Sequence, residues 1–260
     1  VNDILAMKEA DCSVAMASGS DAARSVAHLV LLDSNFANMP KVVLEGRRVI
    51  NNIQSSSSLY LMKTLFVMVI TVLSILATNL FKTGYPFEPI QFMLLEFFII
   101  GLPSTVLALQ PNKELIHGSF IRNIILNCIS QAVCLIATVL TIYIISAKGY
   151  EGLDLSNYEM VTSLCIMAIT YVGFVILTNI CRPFNVLRTI LCIFVFTCIT
   201  ICFFTPGIAS TLGVNFIFKD LTTSTKLFLL LVILAIVPLE RGLADLIKAF
   251  KNKAKNKVIE

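Results

Sequence analysis

The chain has 260 residues, 57% of them hydrophobic and 14% charged, with a formal net charge of +4. Soluble domains carry roughly 25% charged residues, so a mean hydropathy of +0.87 excludes an ordinary soluble enzyme and makes the lipid bilayer the main partner, with no nucleic acid expected. Charge is also segregated, because residues 1–58 read as soluble sequence and long apolar runs start only near Leu59, with no signal-peptide pattern ahead of them.

In the soluble part, Ile4–Ala10 reads as a short helix, Ser13–Met16 as a strand, Asp21–Ala27 as a helix and His28–Leu32 as a strand. Strands alternating with helices predict a βαβ unit and a parallel sheet. Two strands do not make a stable sheet alone, so further strands are expected from an upstream part of the protein. Ser34 or Asn35 is placed to cap the next helix, whose apolar positions Phe36, Met39, Val43, Ile50 and Ile53 recur at helical spacing. Four consecutive serines, Ser55–Ser58, are weak helix formers. A continuous helix through them is nevertheless expected.

Six apolar runs follow, near Leu59–Phe81, Pro89–Leu109, Asn123–Ala147, Met160–Cys181, Thr189–Thr205 and Lys226–Leu239. With the soluble part cytoplasmic, the inner loops and tail hold ten Lys and Arg residues against four outside (Lys82, Lys148, Lys219 and Lys226), in agreement with the positive-inside rule. Both ends are then cytoplasmic. Seven of the eight cysteines lie in the apolar runs and none forms a CxxC pair, so no disulfide framework is implied. Cys198 and Cys202 are one helical turn apart, a spacing open to a soft metal, although packing as small hydrophobes is the reading adopted.

The second run contains LLEFFIIGLPST, Leu94–Thr105, with Glu96 deep in apolar sequence and Gly101 and Pro103 behind it. A carboxylate at that depth costs roughly 2.5–3.5 kcal/mol on insertion scales and is a functional site by default. Proline lacks the N–H that would bond back one turn, so a broken helix is expected, of the kind that builds a cation site near the bilayer midplane. Lys63 in the preceding antiparallel run is within reach of Glu96, or else snorkels to the cytoplasmic interface. Thr64, Thr71, Ser74, Thr78, Asn79, Gln91, Asn127 and Gln131 add polar groups, most of which bond to neighbouring helices in such bundles.

Several stretches together resemble the C-terminal portion of P-type ATPases. Val1-Asn2-Asp3 followed by ILAMKEADCSVAMASGSDAARSVAHLVLLDSNF resembles the end of the family's phosphorylation domain, whose hinge motif reads TGDGVND and whose later segment is LLDDNF-like. EGRRVINNI, Glu45–Ile53, resembles the cytoplasmic stalk entering the fifth membrane helix, and GLPST ahead of Leu109-Gln110-Pro111-Asn112 resembles the sixth helix and its loop. The resemblance covers roughly residues 1–115 and implies a mostly α membrane protein. A six-helix transmembrane bundle would follow the end of a haloacid-dehalogenase-like α/β phosphorylation domain. The implied division is phosphorylation domain over residues 1–35, stalk over 36–58, membrane domain over 59–240 and basic tail over 241–260.

The resemblance also implies an aspartyl-phosphate cycle run by ATP and Mg²⁺, bound mainly by upstream domains that this sequence does not contain. Asn2 and Asp3 match the positions lining the phosphate and supporting the metal; taken alone they read as a helix N-cap. For the transported cation, Glu96, Lys63, Thr64 and Gln91 are the candidate residues. Calcium-type pumps typically read N-x-x-T-D-G-L-P in the sixth helix, where Glu96, Ile99 and Ile100 stand here, and their fifth-helix glutamate falls on Val67. Lys63 matches a lysine of proton–potassium pumps. The general motif style resembles bacterial calcium pumps, which makes calcium the leading ion and a bacterial plasma membrane the expected location. A proton, sodium or another monovalent cation is the alternative, and a passive transport domain is the rival from outside the pumps.

Overall fold

The computed structural model describes residues 2–77, 85–116, 118–150, 153, 155, 157–214 and 221–256. The soluble part follows its sequence pattern closely. Helix α1 (Ile4–Glu9) leads to strand β1 (Val14–Met16), helix α2 (Asp21–Val26) and strand β2 (Leu29–Leu31). The strands pair in parallel, with Val14 opposite Leu29, Ala15 opposite Val30 and Met16 opposite Leu31. Ser20 caps α2 by accepting from the Ala23 N–H at 3.2 Å, and Ser13 Oγ meets His28 Nδ1 at 2.7 Å across the start of the pair.

Helix α3 (Met39–Leu76) is unbroken for 38 residues. Pro40 sits in its first turn, where the absent N–H costs nothing. The serine run stays helical, and two of its hydroxyls bond into the helix itself: Ser55 Oγ donates to the Asn51 carbonyl at 3.1 Å, and Ser58 Oγ to the Ser55 carbonyl at 2.8 Å. Hydroxyls satisfied in this way cost little inside an apolar bundle.

The second span runs from a 3₁₀ turn at Pro89–Phe92 into a π-helix over Leu95–Gly101 and then helix α4 (Leu102–Ala108). The expected break is therefore absent. The chain widens instead, and the Leu102 N–H bonds five residues back to the Phe97 carbonyl. Widening absorbs the missing N–H of Pro103 without unwinding the backbone, and such bulges are a known accommodation in helices. Gly101 permits it, since a Cβ there would stand 3.2 Å from the Glu96 carbonyl oxygen.

Helices α5 (Phe120–Lys148), α6 (Tyr158–Ile180), α7 (Val186–Phe204), α8 (Pro206–Thr211) and α9 (Thr223–Asn256) complete the order. Gly149 ends α5 in the left-handed conformation, at φ 62°. Asn157 and Asn185 cap α6 and α7. Among the described residues, six helices are long and apolar enough to cross a membrane. The span reading and the structure differ most at the last helix, where α9 passes through Pro238 and the charged residues after it. Hydropathy falls at Glu240-Arg241, but helix-forming Leu, Ala and Lys residues continue beyond.

Helix α6 is the centre of the bundle: 83% of its most apolar stretch is buried, against 22–56% for the other spans. It packs against α5, α7, α9 and the π segment. Gly173 brings it closest to that segment, because a Cβ there would lie 3.1 Å from Leu95 Cδ1 and 3.3 Å from Ile99 Cγ2. On the other side, Phe66, Phe87 and Phe92 form an aromatic cluster with centroids 5.3–6.2 Å apart, joining α3 to the start of the second span.

Candidate cation site

Lys63 on α3 and Glu96 in the π segment form an ion pair between Nζ and Oε1. The ammonium also lies 5.8 Å from the centroid of the Phe92 ring, close enough for a cation–π attraction. Lys63 is therefore held by two partners and does not simply reach for the interface. The pair faces a groove of about 670 Å³ whose wall also includes Thr64, Val67, Thr71 and Tyr85. Side-chain exposure in the chain alone is 29% for Lys63 and 48% for Glu96.

The second span sets the aim of Glu96. A π turn adds a residue relative to α geometry, and here it starts one residue before the carboxylate. Thr64 Oγ1 donates to the Tyr60 carbonyl at 3.2 Å and Thr71 Oγ1 to the Val67 carbonyl at 2.8 Å. Each hydroxyl oxygen keeps acceptor capacity on the groove side. One carboxylate, two hydroxyl oxygens and the Lys63 ammonium thus face the same groove. Among the described residues, no cluster of three or more His, Cys, Asp and Glu side chains could hold a metal ion.

Gln91 is not brought to this site. Its Oε1 accepts from the Glu88 N–H at 3.0 Å, and its Nε2 donates to the Gly213 carbonyl at 2.8 Å. Gly213 takes φ +68°, and a Cβ there would come within 3.1 Å of Gln91 Cγ. The glutamine ties the turn after α8 to the start of the second span. Asn2 and Asp3 lie apart in the soluble segment, both exposed. Asp3 occupies the N-cap position of α1, but its side chain makes no capping hydrogen bond. Thr78, Asn79, Lys82 and Lys219 lie outside the described residues.

A polar clamp links the stalk to the far end of the Glu96 segment. Asn52 Nδ2 donates to the carbonyls of Ala108 and Gln110, both at 3.0 Å. Arg48 Nη1 reaches the Ala108 carbonyl at 3.1 Å, and Asn185 Nδ2 donates to Gln110 Oε1 at 2.7 Å. Helix α3 thus holds the second span twice, by the ion pair and by this clamp. Asn52 lies within the stalk motif but carried no sequence signal of its partner. The burial of two charged residues was not expected: Arg188 was read only as an inner-loop charge, and Glu240 was not singled out. Arg188 is 9% exposed and donates to the Pro183 carbonyl at 2.9 Å. Glu240 is 5% exposed and accepts from Asn179 Nδ2. An acid two residues after Pro238 at the end of an apolar run was the signal that could have found Glu240.

No protein-family model matches the chain. It is 34% identical over 196 residues to "Probable cation-transporting ATPase exp7" of Streptococcus pneumoniae, covering 74% of this chain and 24% of that protein. It is likewise 34% identical over 197 residues to the calcium-transporting ATPase CtpE of Mycolicibacterium smegmatis, covering 74% of this chain and 25% of the relative. A shorter match, 33% over 115 residues, covers 44% of this chain and 8% of P-type sodium-transporting ATPase4 of Toxoplasma gondii. The chain thus spans about a quarter of the length of the first two relatives. Through the similarity that runs along about three quarters of its length, the chain belongs to the cation-transporting P-type ATPases.

Proposed function

We propose that this chain is the C-terminal part of an ATP-driven pump that moves a cation past Glu96, with calcium the leading ion. The observation that carries the reading is the double attachment of α3. One continuous helix rises from the βαβ segment, clamps the end of the second span through Asn52, and presents Lys63 to Glu96. A displacement of the cytoplasmic end of α3 is therefore felt at the carboxylate, which is what coupling phosphorylation to ion movement requires.

The βαβ segment is read as the end of a haloacid-dehalogenase-like phosphorylation domain, completed by upstream domains that also bind ATP. Asn2 and Asp3 fit a place beside Mg²⁺ and phosphate, since both are exposed and Asp3 is not spent on capping its helix. Bound Mg²⁺ would neutralise charge developing on the transferred phosphoryl group. Asp3 adds negative charge near it, and Asn2 offers an amide to phosphate oxygens.

The calcium-transporting names of relatives support calcium. A specific observation favours the second reading, a monovalent cation or proton: Lys63 cancels the charge of Glu96, leaving little for a divalent ion. The full-length protein in proteoliposomes distinguishes them. ATP-driven ⁴⁵Ca²⁺ uptake that disappears in Glu96→Gln is the expected result. ²²Na⁺ or proton movement without calcium uptake would establish the second reading, and flux independent of ATP would favour a passive transport domain. Calcium uptake at wild-type rate in Glu96→Gln would remove this carboxylate from the path.

A further inference from the structure

Where the loops after the second span and after α6 meet α3, they line a polar cavity of about 240 Å³ on the stalk side of the bundle. The most buried charge of its wall is Arg188, 9% exposed in the first turn of α7. Its Nη1 donates to the carbonyls of Pro183 at 2.9 Å and Cys181 at 3.4 Å. Its Nε is buried without a partner. Among the described residues, no carboxylate stands within ion-pair distance of the guanidinium. An arginine keeps its charge in a protein, and a buried charge is costly unless it is paired. The start of α7 adds partial positive charge of its own, so the helix compounds the imbalance.

The unspent edge of Arg188 has a chemical meaning. Nε and Nη2 together form the planar fork that takes two oxygens of a carboxylate or phosphate at once. Other donors and charges converge on the same space. Gln110, 3% exposed, accepts from Asn185 Nδ2 with its Oε1, which leaves its own amide N–H groups to donate. Lys113 and Arg182 stand at the exposed mouth, with Glu114 the acid of the lining. Lys113 also attracts Glu45 of α3. Even with Lys113 set against Glu45, Arg182 and Arg188 outnumber Glu114. Positive charge and donors in excess suit an oxyanion with several acceptor oxygens, such as a phosphate group.

We propose that this cavity is a binding site for a phosphate-type oxyanion, held by the Nε–Nη2 edge of Arg188 and the Gln110 amide and approached past Lys113 and Arg182. Asn52, Gln110 and Asn185 of the clamp line it as well, so a bound anion sits against the attachment between α3 and the second span. The site stands apart from the Glu96 groove and does not depend on the pump reading.

Equilibrium binding of ³⁵S-sulfate, a tetrahedral dianion, to the purified full-length protein in dodecyl maltoside and magnesium-free buffer tests it. Saturable binding is expected. Arg188→Gln should weaken it by about tenfold or more, as when a charged hydrogen-bond partner is lost. Arg188→Lys, which keeps the charge but loses the fork, should weaken it by about threefold or more. Arg182→Gln, at the exposed mouth, should weaken it by about two- to fivefold, and it carries the test if the buried variants do not fold. Glu96→Gln should bind as the parent protein does. Inorganic phosphate and dioctanoyl phosphatidic acid, added as competitors, identify the source of the anion. Displacement by both at similar concentrations supports a free phosphate group, and displacement by the lipid alone supports a headgroup. Absence of saturable sulfate binding, or binding that neither competitor displaces, would overturn the inference. So would unchanged affinity in folded Arg188→Lys and Arg182→Gln proteins, which would leave Arg188 as a strut between α7 and the loop before it.

Discussion

In the proposed function, a cation arriving at Glu96 must displace the Lys63 ammonium already opposite the carboxylate. Removing the ammonium by Lys63→Ala should tighten cation binding by about two- to fivefold, the order of one ion pair. Glu96→Gln should abolish ion-stimulated ATP hydrolysis by the intact protein. In a double-mutant cycle on ion affinity the two changes should depart from additivity by more than about 0.3–0.5 kcal/mol; additive effects would mean that the pair plays no part in binding. Asp3→Asn should lower phosphoenzyme formation by about tenfold or more, since preorganised charge at a phosphoryl site often supplies several kcal/mol. Unchanged phosphorylation at limiting Mg²⁺ would reduce Asp3 to a residue of the α1 turn. Glu96 and Lys63 could be picked out in the sequence because charge inside an apolar run is conspicuous. Gln91 could not be assigned, because its partner Gly213 is 122 residues away and a buried amide looks the same whether it serves an ion or a carbonyl. Glu240 was passed over because hydropathy ends the last run one residue before it.

At the level of elements, the second span depends on two glycines with different duties. Gly101 gives the π turn room, and Gly173 lets α6 approach that turn. Gly173→Val should force Leu95 and Ile99 outward at a cost of about 1–3 kcal/mol. It should lower thermal stability in detergent, and an unchanged melting temperature would show that the segment repacks freely. Asn52→Ala should cost about 0.5–1.5 kcal/mol, because the Ala108 and Gln110 carbonyls keep Arg48 Nη1 and the Asn112 N–H as donors, and it should reduce transport more than ion affinity, because the clamp lies away from Glu96. Gly101 and Pro103 announced an irregularity, but sequence does not distinguish a broken helix from a widened one. That choice rests on where the Leu102 N–H finds its acceptor. The serine run is the opposite case, with poor propensity overridden by packing, since Ser58, Leu59 and Met62 are buried.

For the whole molecule, if all six long apolar helices cross the membrane, the βαβ segment and the end of α9 come to lie on one side. Maleimide labelling of Ser18→Cys and Lys253→Cys, in a cysteine-free background of the full-length protein, should mark both from the cytoplasmic face. Labelling from opposite faces would require an odd number of crossings. The number of spans was readable from length and hydropathy alone. The central position of α6 was not, because every span is apolar on most of its surface and none announces which neighbours surround it. Small residues are the trace it leaves, and Gly173 acquires meaning only beside Leu95 and Ile99.

The double attachment of α3 also makes its angular phase a functional quantity. Eleven residues separate Asn52 from Lys63, a rise of about 16 Å at 1.5 Å per residue. Both side chains must point at the same neighbouring span for clamp and ion pair to coexist. A single alanine inserted within Ser55–Ser58 would leave helix, hydropathy and clamp in place, yet turn everything beyond it by about 100° and carry Lys63 off Glu96. Disulfide trapping between Lys63→Cys and Glu96→Cys, efficient in the parent protein, should then fail. A four-residue insertion returns the phase to within about 40° but lifts Lys63 by about 6 Å, and trapping should fail again. The stalk therefore behaves as a keyed shaft, in which rotation and height are specified together and neither can be traded for the other.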